Sequence, residues 1–367
     1  YCTAFTLWGT PQWSSKKSIG LLLLNKVNPP SSDLTTANLE PTEYKDIIMQ
    51  FIDLKIQQRR IKKKIDIRIK DVLNHGKYIM GPEVFELEDK LSNFTGRKYS
   101  LSCSSGTDAL LISLMSKDVG VGDAVFTTPF TYIATAGAIL QTGATPFFVD
   151  IYSETYNMNP DQLNKSIRLA KKKGFNPKAI IPVDLFGLPA RYRLIKEIAN
   201  TNNLIIIEDA AQGFGGRIND DMAGSFGDIS TTSFFPAKPL GCYGDGGAVF
   251  TDDLDLYNKM KSIRIHGSGE NKYDNIRLGL NGRLDTLQAA ILLEKLNIFN
   301  DELVKRNEVA KYYSSNISTT FKKPHVPEKY YSSWAQYSLM TKSIDSRDNI
   351  MRIFNDNNIP VMCYYRI

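Results

Sequence analysis

Short apolar runs alternate with helical patterns between Ser100 and about Thr251, and this alternation limits the fold more than any other feature of the chain. The strand-like runs lie at 124–127, 146–149, 179–183 and 204–207, with helical patterns near 131–141 and 190–200 between them. Runs that are apolar at every position are typical of strands buried on both faces of a parallel sheet. The alternation therefore predicts an α/β domain whose mainly parallel sheet is covered by helices on both sides.

Polar side chains follow directly after one of these runs. Residues 204–207 lead into Glu208 and Asp209, and Gln212 comes shortly afterwards. Ligands of open α/β sheets bind at the carboxyl ends of the strands. We expect Asp209 to pair with a protonated heterocyclic nitrogen and Gln212 to reach a phenolic oxygen of the same ring. The alternative for Asp209 is a helix N-cap, because two alanines follow it.

Lys238 lies between Pro236 and Pro239 in a loop that continues into a glycine-rich segment at 241–247. Proline removes a backbone donor and restricts φ, so the path of this loop is rigid and irregular. A rigid setting suits a lysine that must hold a carbonyl cofactor as a Schiff base. Taken alone, the same pattern also fits an exposed loop lysine.

The segment Ser104–Leu110 reads as a tight Ser/Gly/Thr turn between a strand and a helix. Such a turn presents backbone N–H groups, hydroxyls and the positive end of the helix dipole, so it predicts a phosphate site. An ordinary strand-to-helix cap is the alternative. The segment lacks the lysine of a P-loop, and the chain has no G-x-G-x-x-G motif between a strand and a helix.

A phosphate site, an acid for a ring nitrogen and a rigid lysine are together what a pyridoxal phosphate (PLP) site requires. From about Phe51 to its end, the chain also resembles the DegT/DnrJ/EryC1/StrS family of sugar aminotransferases. The motifs that carry the resemblance are Phe51–Lys55, Gly81–Val84, Ser105–Asp108, Pro129–Thr135, Glu208–Gln212, the lysine loop, Leu280–Asp285 and Gln288–Ala290. The resemblance implies the aspartate-aminotransferase fold (PLP-dependent transferase fold type I), with a large domain and a smaller C-terminal α/β domain.

The resemblance also implies a role for each site residue, with Lys238 as the catalytic residue. The cofactor-binding residues that it implies are Gly106, Thr107, Tyr132, Asp209, Gln212, Ser233, Lys238 and Asn281. Tyr132 would stack on the cofactor ring, although a core aromatic is the alternative. Asn281 would reach the phosphate in a neighbouring subunit and Arg283 a substrate carboxylate, which implies a homodimer with shared sites. An ion pair with Asp285 is the alternative for Arg283.

Within the family, the chain is most similar to enzymes that aminate C3 of UDP-2-acetamido-2-deoxy-3-oxo-glucuronate with L-glutamate as amino donor, in surface polysaccharide and O-antigen sugar biosynthesis. The alternatives are an aminotransferase for a 4-keto UDP- or dTDP-sugar and a non-catalytic, truncated relative. A third alternative is the family's sugar dehydratase branch. That branch carries histidine in place of the Schiff-base lysine, so Lys238 argues against it.

Charge and cysteine patterns narrow the class further. The net charge of +6 is modest and spread along the chain, and the runs Lys62–Lys64 and Lys171–Lys173 lack interleaved aromatics, so no nucleic-acid partner is expected. The four cysteines lack metal or disulfide spacing, which predicts no metal site and a cytoplasmic location. No apolar run reaches the length of a membrane span.

We predict four segments along the chain. Residues 1–48 are expected to be a non-native or disordered extension before a natural start at Met49, with a targeting or partner-binding extension as the alternative. Residues 49–80 are expected to pack on a large PLP-binding domain at 81–295. Residues 296–367 would form a small C-terminal domain that is incomplete, because relatives usually continue past Ile367.

Overall fold

The computed structural model describes residues 4–7, 50–271 and 273–365, and these divide into two units. The larger unit comprises residues 57–304 and 325–335. The smaller unit comprises the described residues up to Ile56, residues 305–324 and those from Gln336 onwards. The expected boundary between residues 295 and 296 therefore falls inside the larger unit, in a helix that runs from Thr286 to Asn316.

The helices and strands follow the predicted alternation. In the described part of the chain, the helices are α1 (Leu54–His75), α2 (Pro82–Thr95), α3 (Gly106–Ser116), α4 (Ala134–Gln141), α5 (Pro160–Lys172), α6 (Tyr192–Asn202), α7 (Leu254–Arg264), α8 (Thr286–Asn316) and α9 (Ile344–Asp356). The strands are β1 (Ala4–Leu7), β2 (Tyr99–Cys103), β3 (Asp123–Thr127), β4 (Thr145–Phe148), β5 (Asn176–Ile181), β6 (Ile205–Asp209), β7 (Arg217–Ile218), β8 (Asp221–Met222), β9 (Ile229–Ser233), β10 (Gly247–Thr251), β11 (Tyr330–Tyr331), β12 (Tyr337–Met340) and β13 (Val361–Met362).

The larger unit is built on a seven-stranded sheet in the order β2-β10-β9-β6-β5-β3-β4. The strands from β9 to β4 are parallel, and β10 is antiparallel to both of its neighbours. All four predicted runs are strands of this sheet. The predicted mainly parallel α/β fold is therefore confirmed.

Successive residues of the central strands point to opposite faces, and both faces are covered. Val125, Ile181 and Ile207 pack with α3, α4 and α7 on one face, whereas Ile180 and Ile206 pack with α5 and α6 on the other. Each side chain is at most 3% exposed. Because both faces are buried, each of these strands is apolar at several successive positions, which explains the continuous runs in the sequence.

Several strand ends meet on the side of the sheet to which the carboxyl ends of the parallel strands point, and we call this side the sheet edge. Gly247, the first residue of β10, pairs with Cys103 at the end of β2 and with Ser233 at the end of β9. The backbone N–H of Asp209, at the end of β6, donates to Pro182 O at 2.9 Å, just after β5. The polar residues that follow these strands are thus delivered to the same edge.

The C-terminal segment is arranged differently from the prediction. Residues 325–335, expected in the small C-terminal domain, belong to the larger unit, and strand β12 begins after them at Tyr337. Within the larger unit, Tyr330 and Tyr331 pair with β7 as strand β11. Ser333 N and Oγ bond to backbone carbonyls of that unit, so its polar groups are used by loop contacts and not by a sheet ladder.

The smaller unit contains a three-stranded antiparallel sheet in the order β12-β1-β13. Strand β1, Ala4–Leu7, is its central strand, so the expectation of a disordered extension does not hold for these four residues. The rest of the segment at 1–48, together with Met49, lies outside the described residues. Tyr313 of α8 packs edge-on against Tyr337 of β12, with ring centroids 5.3 Å apart.

Within the helices that the structure describes, none is long and apolar enough to cross a bilayer. The described residues likewise contain no group of three or more His, Cys, Asp or Glu side chains that could hold a metal ion.

Candidate active site

The loop that carries Lys238 joins the neighbouring antiparallel strands β9 and β10. It is closed at its base because Phe234 N donates to Gly246 O at 2.7 Å, and Lys238 N donates to Phe235 O at 2.8 Å. A Cβ at Gly241 would lie 2.6 Å from the Phe235 carbonyl oxygen, so the loop can take this path only with glycine there. The half-buried Lys238 is therefore held in a fixed, hydrogen-bonded loop, as its proline and glycine neighbours predict.

Asp209 and Lys238 each affect the pKa of the other. Asp209 is 5% exposed, and its Oδ2 accepts a hydrogen bond from Thr135 Oγ1 at 2.9 Å. Burial raises the pKa of Asp209, while the bonds from Thr135 and Ala211 N and the charge of Lys238 oppose that rise. Burial lowers the pKa of Lys238, and the charge of Asp209 opposes that fall. The predicted acid and lysine are thus neighbours in space.

The chain after Asp209 makes a turn and no regular helix, so the helix N-cap alternative is wrong. Its Oδ1 instead accepts from Ala211 N at 3.2 Å, which stabilises this turn. Thr135, at the start of α4, lies in one of the quoted motifs, but the sequence pattern does not predict its contact with Asp209. The contact arises because α4 follows β3 and begins at the same sheet edge.

Gln212 is held in a defined orientation beyond β6. Its side-chain oxygen accepts from Phe186 N at 2.7 Å, and its backbone oxygen accepts from Ser333 Oγ at 2.9 Å. Because the oxygen accepts from a backbone N–H, the amide is held in one orientation, and donation to a phenolic oxygen would come from its nitrogen. The orientation is therefore compatible with the predicted role.

The predicted phosphate turn joins β2 to α3. Ser105 is the N-cap of α3, with its Oγ accepting from Asp108 N at 3.0 Å, and Ser104 Oγ donates to the Asp108 carboxylate. A Cβ on Gly106 would lie 2.6 Å from Ser233 Cβ and 3.1 Å from its Oγ. The structure thus brings together Gly106 and Ser233, which are far apart in sequence. Thr107 adjoins them at the start of the helix, where anions are favoured.

Gly106→Ala is expected to raise the dissociation constant for PLP by about 100-fold, because the added methyl group would displace Ser233 and the first turn of α3 by a fraction of an ångström or more. Titration of the apoenzyme with PLP measures this directly. Gly137→Ala is the matched control, since a Cβ at this position in α4 meets nothing within 4 Å. Equal affinities for the two variants would contradict the placement of the phosphate.

Tyr132 lies on the surface beside this edge. Its side chain is 59% exposed, so the alternative of a core aromatic is wrong. Its backbone oxygen accepts from Thr135 N at 3.2 Å, which places it less than one helical turn before the partner of Asp209. An exposed aromatic at this position is available for stacking, and that role stays a prediction.

The segment 281–283 adjoins the phosphate turn of its own chain. Gly282 O accepts from Ser104 N at 3.0 Å, and Gly282 N donates to Arg264 O at 2.9 Å. Arg283 donates to the side-chain oxygen of Asn281, which is itself exposed. The predicted contacts of Asn281 and Arg283 with a second subunit stay predictions.

A buried ion pair that the sequence does not reveal lies behind the phosphate turn. Arg264 is 1% exposed, and its Nη1 donates to Glu88 Oε1 at 2.6 Å and to Ser102 O at 2.8 Å. The same Glu88 oxygen accepts from Ser102 N at 2.8 Å. In the sequence these two charges read as ordinary helix-surface residues of α2 and α7. Their burial ties β2 to both helices just before the turn begins.

The geometry fits PLP on observations of this chain alone. An amine is available for the carbonyl group and a neighbouring carboxylate for the ring nitrogen, while a glycine-containing helix start against Ser233 is available for the phosphate. Combined with the parallel sheet and its one antiparallel strand, these features define a PLP-dependent transferase of the aspartate-aminotransferase fold.

Comparison with known proteins narrows this class to a family. The model of the DegT/DnrJ/EryC1/StrS aminotransferase family matches residues 59–367, and the chain belongs to that family. It is 45% identical over 321 residues to the UDP-2-acetamido-2-deoxy-3-oxo-D-glucuronate aminotransferase of Pseudomonas aeruginosa, covering 87% of each chain.

Solved structures agree in fold. A DegT/DnrJ/EryC1/StrS aminotransferase from Brucella abortus has a TM-score of 0.84 and 47% identity, over 86% of this chain and 84% of that one. NtdA from Bacillus subtilis, solved with bound pyridoxamine phosphate, has a TM-score of 0.76 and 30% identity, over 84% of this chain and 70% of its own. The chain is therefore a PLP-dependent aminotransferase of this family.

Proposed function

We propose that this enzyme transfers the amino group of L-glutamate to C3 of a UDP-linked 3-oxo sugar, UDP-2-acetamido-2-deoxy-3-oxo-glucuronate. The observation that carries the proposal is the 45% identity to the Pseudomonas aeruginosa enzyme, which extends over the same 87% of both chains and is accompanied by an intact Lys238–Asp209 pair. The family alone would leave the sugar open.

The residues of the site have separate tasks in this reaction. PLP, when bound, supplies the electron sink that stabilises negative charge at the substrate carbon. Because burial lowers the pKa of Lys238, a larger share of its amine is neutral near pH 7 and can accept a proton from that carbon. The Asp209 carboxylate keeps the ring nitrogen protonated. Gly106, Thr107 and Ser233 bind the phosphate, and Tyr132 and Gln212 orient the ring.

We further propose a homodimer in which Asn281 and Arg283 complete the site of the second subunit. The support is that two apolar side chains shortly before these residues in the chain are exposed, Ile276 to 62% and Leu278 to 82%. The product would serve the synthesis of surface polysaccharide such as O-antigen. The free cysteines Cys103, Cys242 and Cys363 support a cytoplasmic location.

Arg283→Gln is expected to lower kcat/KM for UDP-2-acetamido-2-deoxy-3-oxo-glucuronate by about 10- to 100-fold, because it removes a bidentate partner for the sugar carboxylate. With UDP-2-acetamido-2-deoxy-3-oxo-glucose, which lacks the carboxylate, the change should stay within about threefold. Both rates are measured by first converting the enzyme to its pyridoxamine phosphate form with L-glutamate and then adding each sugar. Arg193→Gln is the matched control, since the Arg193 side chain is 80% exposed on α6.

The same assay tests the proposed function as a whole. Conversion of the 3-oxo sugars with L-glutamate consumed in equal amounts supports it. Conversion of only 4-oxo UDP- or dTDP-sugars would overturn the assignment to C3. An equal loss of both 3-oxo substrates in Arg283→Gln would show that Arg283 does not bind the carboxylate.

A further inference from the structure

A second pair of buried carboxyl groups lies directly behind Asp209. Glu208 precedes Asp209 in β6, and Asp184 lies beside it, with its backbone N–H donating to Asp209 O at 3.0 Å. Asp184 and Glu208 are both 0% exposed. Two ionised carboxylates in this position would add two unpaired charges to a protein interior, which is very unfavourable.

The hydrogen bonds around the pair account for every carboxyl oxygen but one. Glu208 Oε1 and Oε2 accept from Gly224 N and Phe226 N, each at 2.7 Å. Asp184 Oδ1 accepts from Ala190 N at 2.9 Å and from the Tyr192 hydroxyl at 2.8 Å. Asp184 Oδ2 is fully buried and has no donor. An oxygen in this situation is expected to carry a proton itself.

Asp184 and Glu208 lie close enough for the charge of Glu208 to raise the pKa of Asp184. Two neighbouring carboxyl groups can form a hydrogen bond only when one of them supplies the proton. Glu208 already accepts from two backbone N–H groups, and such bonds favour its ionised form. The proton therefore belongs on Asp184.

The groups around Asp184 agree with this placement. Glu208 of β6 and Tyr192 of α6 face Asp184, and the charge of an ionised Asp184 would raise the pKa of Tyr330 in β11. Asp209 adds a further negative potential at Tyr192. Burial, and then the charge of Glu208, raise the pKa of Asp184 well above its usual value.

Asp184 also holds a turn that reaches the cofactor site. Its backbone bonds to Asp209 at one end of the turn, and its Oδ1 bonds to Ala190 at the other. Between them, Phe186 adopts a left-handed conformation (φ 58°) and directs its N–H onto the side chain of Gln212. A non-glycine residue keeps such a conformation only when its surroundings impose it.

We propose that Asp184 is a neutral carboxylic acid that donates its proton to Glu208, and that this acid–carboxylate pair is the positioning element for the turn that orients Gln212. The pair leaves one negative charge, not two, next to Asp209. This goes beyond the proposed function, since it holds for whichever sugar the enzyme accepts.

Infrared spectroscopy of the holoenzyme tests the protonation state without any variant. At pH 7 the wild type should show the carbonyl stretch of a protonated carboxylic acid, and labelling aspartate with ¹³C at the side-chain carboxyl should shift that band. The band should be absent from Asp184→Asn. A wild type without an aspartate-sensitive acid band, or an Asp184→Asn variant that retains it, would overturn the proposal.

Stability as a function of pH gives an independent readout. Above the ordinary pKa of 3.8, unfolded Asp184 is ionised while folded Asp184 keeps its proton, so this group makes the protein less stable as pH rises towards the folded pKa. Asparagine does not titrate. The unfolding constant of the wild type, divided by that of Asp184→Asn, should therefore grow about tenfold per pH unit above pH 4. A ratio that does not change with pH would overturn the proposal.

Matched variants separate the two carboxyl groups and test positioning. Asp184→Asn keeps both an acceptor for Tyr192 and a donor to Glu208, whereas Glu208→Gln places an amide N–H₂ against Gly224 N or Phe226 N. The urea midpoint should therefore fall much further in Glu208→Gln, and the reverse order would place the proton on Glu208.

The positioning role is tested by cofactor affinity. Asp184→Ala should weaken PLP binding about tenfold, and Asp184→Asn should restore the affinity. Equal affinities in the wild type, Asp184→Ala and Asp184→Asn would contradict the positioning role.

Discussion

Lys238→Ala is expected to lower kcat for transamination by about four orders of magnitude. Two functions should be lost together, because in the proposed mechanism this amine both attaches to the cofactor carbonyl and moves the proton at the substrate carbon. Its setting supports both functions, since burial lowers the pKa of Lys238 and the closed loop between β9 and β10 fixes its position. Single-turnover rates with L-glutamate measure the loss apart from any change in product release.

A mass measurement separates this result from a simple loss of folding. Borohydride reduction of the wild-type holoenzyme should add the mass of the cofactor to the peptide that contains Lys238, and this addition should be missing in the variant. Lys172→Ala is the matched control, because Lys172 is exposed on α5. A Lys238→Ala protein that keeps a tenth of the wild-type rate would rule out the assigned role.

Asp209→Asn is expected to lower kcat by about 10²- to 10³-fold. Asparagine has nearly the same shape and can still accept from Thr135 Oγ1, but it lacks the charge that, in the proposed mechanism, keeps the ring nitrogen protonated. The variant therefore isolates the charge from the hydrogen bond. Stopped-flow measurement of the half-reaction with L-glutamate gives the size of the effect.

The same variant has a second consequence with a definite sign. The charge of Asp209 raises the pKa of Lys238, in opposition to burial. Removing the charge should lower the pKa of Lys238, so its amine becomes neutral and reactive at lower pH. In the apoenzyme, the pH profile of Lys238 modification by an amine reagent should shift towards acid.

Thr135→Val provides the comparison for Asp209→Asn. It removes the hydrogen bond to Asp209 Oδ2 but keeps the carboxylate, so we expect a loss in kcat of about tenfold or less. An Asp209→Asn enzyme within threefold of the wild type would exclude a role for the charge. A Thr135→Val enzyme as slow as Asp209→Asn would show that the hydrogen bond matters as much as the charge.

Much of the large domain could be predicted because its signals are local. The runs at 179–183 and 204–207 are apolar at every position, and the structure places both in the middle of the sheet. The turn before α3 was predictable for the same reason, since a serine cap followed by glycine acts within a few residues. The C-terminal segment was less predictable. Tyr330 and Tyr331 pair with β7, a partner far away in the chain, and no pattern in their neighbours indicates it.

The residues of the candidate site also fall into those that local sequence indicates and those that only packing brings together. Lys238, Asp209 and Gln212 could be proposed as site residues from the sequence because each is marked by its own neighbours, by prolines or by the end of an apolar run. The contact of Thr135 with Asp209 could not, because it depends on α4 beginning at the sheet edge where β6 ends. Nor could the burial of Arg264 against Glu88, since a charge on a helix is usually solvated and only packing shows otherwise.

The sequence by itself therefore determined the alternation of strands and helices between Ser100 and about Thr251 and the local shapes of the lysine loop and the phosphate turn. These depend on backbone preferences and on hydrogen bonds between near neighbours. Only the tertiary structure decided which polar groups meet at the sheet edge and which carboxyl groups are buried away from solvent. Burial and distance across a sheet depend on strand order, and strand order is set by the packing of the whole chain.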